Sequence, residues 1–142
     1  MQTIFEAKRM LWGRVLILAV AGPVYGGLTI LGWIHGLEHW VALILIGAVG
    51  KVAALLAPSA PIRHAFAAGF LTAVAALLVQ ALFAPLYFEN NAGYASIEIP
   101  FGLSPVTYTL AFAPIGGLLA GLLAMAAAWL VSSMLVLLAK RA

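Results

Sequence analysis

The run VLILAVAGPVYGGLTILGWIHGLEHWVALILIGAVGKVAALLA, residues 15–57, decides the fold. Its only formal charges are Glu38 and Lys51, and no stretch of it alternates polar and apolar residues as a half-buried strand does. One membrane crossing takes about 20 apolar residues. The run is therefore long enough for two crossings joined by a very short turn. That turn falls on WIHGLEHW, residues 33–40, where Gly36 suits a turn better than a helix interior. The sequence predicts a first span over 15–34 and a second over 40–57.

Composition supports the same reading. The 142-residue chain is 65% hydrophobic and only 8% charged, with a mean hydropathy of +1.15. Soluble domains carry about 25% charged residues, so a globule of this composition could not cover its surface in water. A net charge of +3 and a pI near 9.6 raise the question of nucleic acid, but the placement of the charges answers to topology instead, and no nucleic-acid partner is expected. With no cysteine, thiol catalysis, thiolate metal sites and disulfides are excluded. The triplet Ala19-Val20-Ala21 resembles a signal cleavage site. The apolar run continues beyond it to Ile34, so an uncleaved first span is expected.

Two more runs follow. Residues 65–88 form a third span. Residues 105–139 begin with Ser104-Pro105, a serine cap with proline at the first helical position. A helix that long measures roughly 52 Å against a hydrocarbon core of about 30 Å. Pro114 is expected to kink it, with 106–113 outside or along the interface and the crossing itself over 115–138. PSAPIRH (58–64) reads as a tight proline turn. Residues 89–105 form the one sizeable loop, with ASIEIPF as a short extended piece weakened by Pro100.

Orientation follows from charge. With the N-terminus in the cytoplasm, Lys8, Arg9, Arg14, Lys51, Arg63, Lys140 and Arg141 all fall on or lean toward that side. Glu38, Glu89 and Glu98 fall on the other, which is the positive-inside pattern. Residues 1–14, with Phe5, Leu11 and Trp12 among the basic residues, are expected to lie on the anionic leaflet. The expected fold is an all-α integral membrane protein: a single domain built as a four-transmembrane-helix bundle, N-in and C-in, with a kinked fourth helix and an outer loop over 89–105. A bacterial inner membrane is the expected location.

Candidate chemistry is sparse. His35, Glu38 and His39 spell H-x-x-E-H, the letters of a zinc-peptidase helix, but the turn at Gly36 frees the two histidines from a shared helical face. A metal ion held by His35, His39, Glu89 and Glu98 is a minor alternative to hydrogen bonding, as is a proton-responsive cluster. No other cofactor is expected. Lys51 is the one charge well inside a span: it snorkels to the interface or lines a ligand pathway, with Thr72 as a partner at similar depth. Tyr25 and Gln80 lie nearer the midplane as candidate pathway or ligand groups. Pro23, Gly26 and Gly27 read as a helix break. Gly117-x-x-x-Gly121 and the ladder through Ala124 and Ala128 read as a helix-packing face.

Two functions are expected from these residues. In one, the protein forms or regulates a path for a small solute or ion as an oligomer. In the other, it is a non-catalytic subunit docked on a partner membrane protein. A metal-dependent enzyme using His35 and His39 is a third. The lipid bilayer is the common partner.

Overall fold

The structure, a computed structural model, describes residues 10–95 and 99–141. Its helices are α1 (Trp12–Ala19), α2 (Ala21–Ile30), α3 (Glu38–Leu56), α4 (Pro61–Leu82), the short α5 (Ala84–Asn90) and α6 (Ala92–Ala95), and α7 (Pro105–Ala139). A 3-10 turn over Pro100–Gly102 precedes α7, and there is no strand among the described residues. Counting α1 and α2 as one unit, Trp12–Ile30, four helices are long and apolar enough to cross a membrane. Residues 1–9 of the expected surface segment, and residues 96–98 of the expected extended piece with Glu98 among them, lie outside the described residues.

Prolines set most of the boundaries, and they move several of those expected. Trp12, Gly13 and Arg14 belong to the first apolar helix rather than to a surface segment. Pro23 has no N–H for the Ala19 carbonyl and its ring crowds that carbonyl, so the ladder is interrupted at Val20, between α1 and α2. Pro23, Gly26 and Gly27 themselves all lie inside α2, so the interruption falls about one turn before the expected position. In the same way Pro85 cannot bond the Ala81 carbonyl, and α4 ends at Leu82, not at residue 88. Pro61 occupies the first turn of α4, so that helix starts four residues before the expected 65. In α7 the Ser104 hydroxyl caps the Thr107 N–H at 3.1 Å. That helix runs unbroken for 35 residues with Pro114 inside it.

The first unit stops at Ile30, four residues short of the expected end. Gly32, at φ +69, takes the left-handed conformation that closes a helix. The Gly32 N–H donates to the Thr29 carbonyl at 3.0 Å and the Trp33 N–H to the Leu28 carbonyl at 3.1 Å, so two of the last orphan carbonyls of α2 are satisfied. A second left-handed glycine, Gly36 at φ +79, turns the chain into α3.

α4 is the hub, touching α1, α2, α3 and α7. It presents small residues on two sides. Ala68, Thr72 and Ala76 recur every fourth position and meet the first unit, where Gly22 lies on the Thr72 carbonyl and Gly26 on the Ala76 carbonyl. Ala65 and Gly69 meet α7, where a methyl group on Gly69 would stand 2.7 Å from the Ala120 carbonyl. Gly117, Ala120, Gly121, Ala124 and Ala128 of α7 are buried. Gly117 and Gly121 receive the stacked rings of Phe70 and Phe66, and Gly50 brings α3 onto the Ala124 backbone. Small residues at these positions let the helix backbones approach closely, the packing by which apolar helices associate where hydrophobic drive is absent.

One end of the assembly is tied by His64. Buried in the first turn of α4, its Nδ1 lies 2.7 Å from the Ala60 carbonyl and its Nε2 accepts from the Leu11 N–H at 2.8 Å. The carbonyl can only accept, so the hydrogen sits on Nδ1. Beside it the Arg14 guanidinium donates to the Leu56 carbonyl in the last turn of α3, where a cation meets the negative end of the helix dipole. Replacing His64 with Leu strips the Leu11 amide of its acceptor. The expected loss is about 1–3 kcal/mol, read as earlier thermal unfolding in detergent with faster hydrogen exchange at Leu11. Unchanged exchange at that amide would contradict the assignment.

Candidate functional site

At the opposite end, polar side chains from α2, α4, the 31–37 turn and the segment after α5 join into one network. Thr29 Oγ1 donates to the Gly26 carbonyl at 2.7 Å and accepts from Gln80 Nε2 at 2.8 Å. The next contact is through its backbone. Asn91 is fully buried, and its Nδ2 donates to the carbonyls of Thr29 (2.9 Å) and Tyr87 (2.8 Å). Two carbonyl partners fix the amide orientation, so it is Oδ1 that faces His35 Nδ1 at 3.1 Å. An oxygen there accepts, and His35 therefore carries its hydrogen on Nδ1. The same Nδ1 stands 3.5 Å from Glu38 Oε1.

Glu38 is the unexpected member. Its position in the sequence, next to the turn, suggested an acid on the surface. In the structure its side chain is 8% exposed, and neither carboxylate oxygen has a hydrogen-bond partner. Its backbone carbonyl accepts from the Tyr25 hydroxyl at 3.0 Å. A buried carboxylate without donors is costly, so this is the least satisfied polar group in the described chain. Asn90 adds a clasp, donating to the Ile30 carbonyl at 2.8 Å.

The expected candidates sort as follows. Tyr25 and Gln80 enter this network, but closer to the helix ends than expected: Gln80 sits two residues before the end of α4. Thr72 lies two helical turns away, buried, with its hydroxyl on the Ala68 carbonyl. Lys51 is exposed on the flank of α3 and does not bond Thr72. Of the four possible metal ligands, His35 turns onto Asn91 and Glu38, whereas His39 and Glu89 are exposed and Glu98 lies outside the described residues. Among the described residues no three such ligands come together. His35 and His39 are divided by the start of α3 at Glu38, so the H-x-x-E-H letters do not form one helical face.

Sequence reasoning missed Thr29, Glu38 as a buried group, Asn91 and His64. Thr29 had a usable signal, three residues after Gly26 in a span otherwise short of polar groups. Asn91 had none, because its burial depends on how the segment after α5 folds over α2.

A second feature lies on the flank. A groove of about 440 Å³ runs between the first unit and α3, lined by Leu18, Val24, Tyr25, Leu28, Leu45 and Val52. No protein family, curated protein or solved structure matches the chain, and the site is read from its own geometry.

Proposed function

We propose that the chain is a four-helix membrane protein, with both termini cytoplasmic, that forms or regulates a path for a small solute or ion as an oligomer. The observation carrying this reading is the connected polar network from Gln80 to Glu38, built into the end of an otherwise apolar assembly. Glu38 is an ionisable group enclosed among apolar helices, and such a group in a membrane protein is by default a candidate for a solute, ion or proton site. The orientation rests on charge: Arg14, Arg63, Lys140 and Arg141 against Glu38 and Glu89.

Packing argues that a single chain is not itself the conduit. Ala65, Ala68, Ala124 and Ala128 are fully buried and seal the interior below the network. The groove on the flank is the space that remains, and a second copy lying over it would enclose a path leading up to Tyr25. Its apolar walls suit a neutral solute. The alternative, an accessory subunit, is favoured by α7, whose apolar window is only 11% buried and leaves a long face for a partner helix.

Reconstitution into liposomes tests the reading, with solute and ion flux measured beside chemical cross-linking. Flux with a homo-oligomer is expected, and Gln80→Leu should lower it about fivefold, the equivalent of one hydrogen bond of roughly 1 kcal/mol. Lys51→Met should behave as wild type. A protein that conducts nothing, stays monomeric and co-purifies with one defined membrane protein would replace this reading with the subunit one.

A further inference from the structure

We infer that His35 and Glu38 form a proton-exchange site in which the exposed imidazole is the port and the buried carboxyl the store. For its place in the protein's work this rests on the pathway reading, since it names the proton as the ion that regulates the path.

The geometry carries the assignment. His35 is 55% exposed at the side chain while its Nδ1 edge turns inward to Asn91 Oδ1 (3.1 Å) and Glu38 Oε1 (3.5 Å). Nε2 lies on the opposite edge of this half-exposed ring. Asn91 cannot rotate to release the ring, because its amide is held by the Thr29 and Tyr87 carbonyls. The Nδ1–H therefore stays aimed at the side on which the carboxyl waits. Glu38 has two buried oxygens and no hydrogen-bond donor, so an arriving proton would find there an acceptor that nothing else satisfies. A small tilt of the ring closes the 3.5 Å to hydrogen-bonding distance.

The step balances within the pair. A proton from outside binds Nε2, and the Nδ1 hydrogen passes to Oε1. The ring is left neutral as its other tautomer and Glu38 gains one proton; reversal returns it. Among the described residues the other titratable groups at this end are few. Tyr25 on α2 bonds the Glu38 backbone carbonyl, and His39 follows on α3 but is exposed. Tyr87 and the exposed Glu89 lie on α5, and α7 brings Tyr108 in its first turn. α4 offers only neutral Gln80 there, since its Arg63 and His64 stand at the far end.

The chain has four glutamates and no aspartate, so carboxyl signals are countable. Infrared difference spectra of the protein in lipid nanodiscs, taken between acidic and alkaline buffer, should show a carboxyl stretching band that Glu38→Gln removes. In pH-jump measurements His35→Gln, which keeps a donor toward Asn91, should slow the appearance of that band at least tenfold, while His39→Gln leaves it unchanged. If Glu38→Gln does not fold, glutamate labelled with ¹³C at the carboxyl in wild type and in His35→Gln supplies the same readout. A Glu38 carboxyl that does not change with pH, or changes as fast without His35, overturns the inference. A pH-responsive band in a protein that conducts nothing would leave the proton site standing and remove the pathway. Flux without the band would do the reverse.

Discussion

Gly50→Ala is expected to destabilise the protein by about 3 kcal/mol, whereas Gly47→Ala, one turn away on α3, should be neutral or mildly stabilising. A methyl group on Gly50 would overlap the Ala124 carbonyl oxygen and stand 2.9 Å from both the Ala124 carbonyl carbon and the Ala127 Cβ. Backbone cannot rotate aside as a side chain can, so α3 has to move off α7. That separation opens the cluster of Ile46, Ala53, Ala54, Ala120 and Ala124. In lipid the lost contacts are not recovered by hydrophobic drive. At Gly47 nothing lies within 4 Å, and the added methyl only improves helix propensity, by about 1 kcal/mol in water. The propensity gain is common to both variants, so the difference between them isolates the helix crossing. Gly22→Ala, against the Thr72 carbonyl, and Gly27→Ala, in open space, form the same contrast on α2. Thermal unfolding in one detergent measures all four; equal midpoints for Gly50→Ala and Gly47→Ala would refute the packing.

These pairs also show what the sequence could and could not say. Apolar length located four long helices, because a hydrocarbon layer demands it. Helix ends were legible wherever the proline rule was followed through: Ser104-Pro105 was read correctly, and the same rule at Pro61 and one turn before Pro23 and Pro85 gives the observed ends. Gly22-x-x-x-Gly26 carries the same small-residue signal as Gly117-x-x-x-Gly121, yet Gly26, with Pro23 and Gly27, read as a break. Nothing in the spacing says that Gly26 faces Ala76 while Gly27 faces open space. That distinction is set by the rotation of a helix about its axis, and apolarity on every side, as in α7, erases the amphipathic signal that would fix it.

The site was less legible for a related reason. Lys51, the most conspicuous intramembrane charge, lies exposed on a flank, while Glu38, placed by the sequence at the surface, is buried. Depth along a helix is readable from residue count, but enclosure is a property of what folds over it. Glu38 faces His35, and that ring is held by Asn91, 56 positions from it in the chain. The network is therefore a tertiary product, and its keystone can be tested without touching an ionisable group of the proposed exchange.

Asn91→Asp is expected to cost about 2–4 kcal/mol near neutral pH, at one to three for each buried hydrogen bond left unmade. The two side chains have nearly the same shape, so packing is preserved and the effect is electrostatic. The Asn91 amide now donates to the Thr29 and Tyr87 carbonyls at 2.9 and 2.8 Å. An oxygen in its place sets acceptor against acceptor in a site with no solvent exposure, next to the Glu38 carboxyl. The Gly32 N–H still serves the Thr29 carbonyl, which keeps the loss below the full cost of two orphaned groups. Lowering the pH should restore part of the stability, because the introduced aspartate, once protonated, donates to one carbonyl again. The folded state then binds that proton more tightly than the unfolded state, so stability rises as pH falls. Asn90→Asp supplies the control: Asn90 is exposed and makes a single bond to the Ile30 carbonyl, and it should lose no more than about 1 kcal/mol. Unfolding midpoints for the two variants across pH decide the matter. Equal losses, or a penalty at residue 91 that does not shrink in acid, would mean that Asn91 does not hold the network as described.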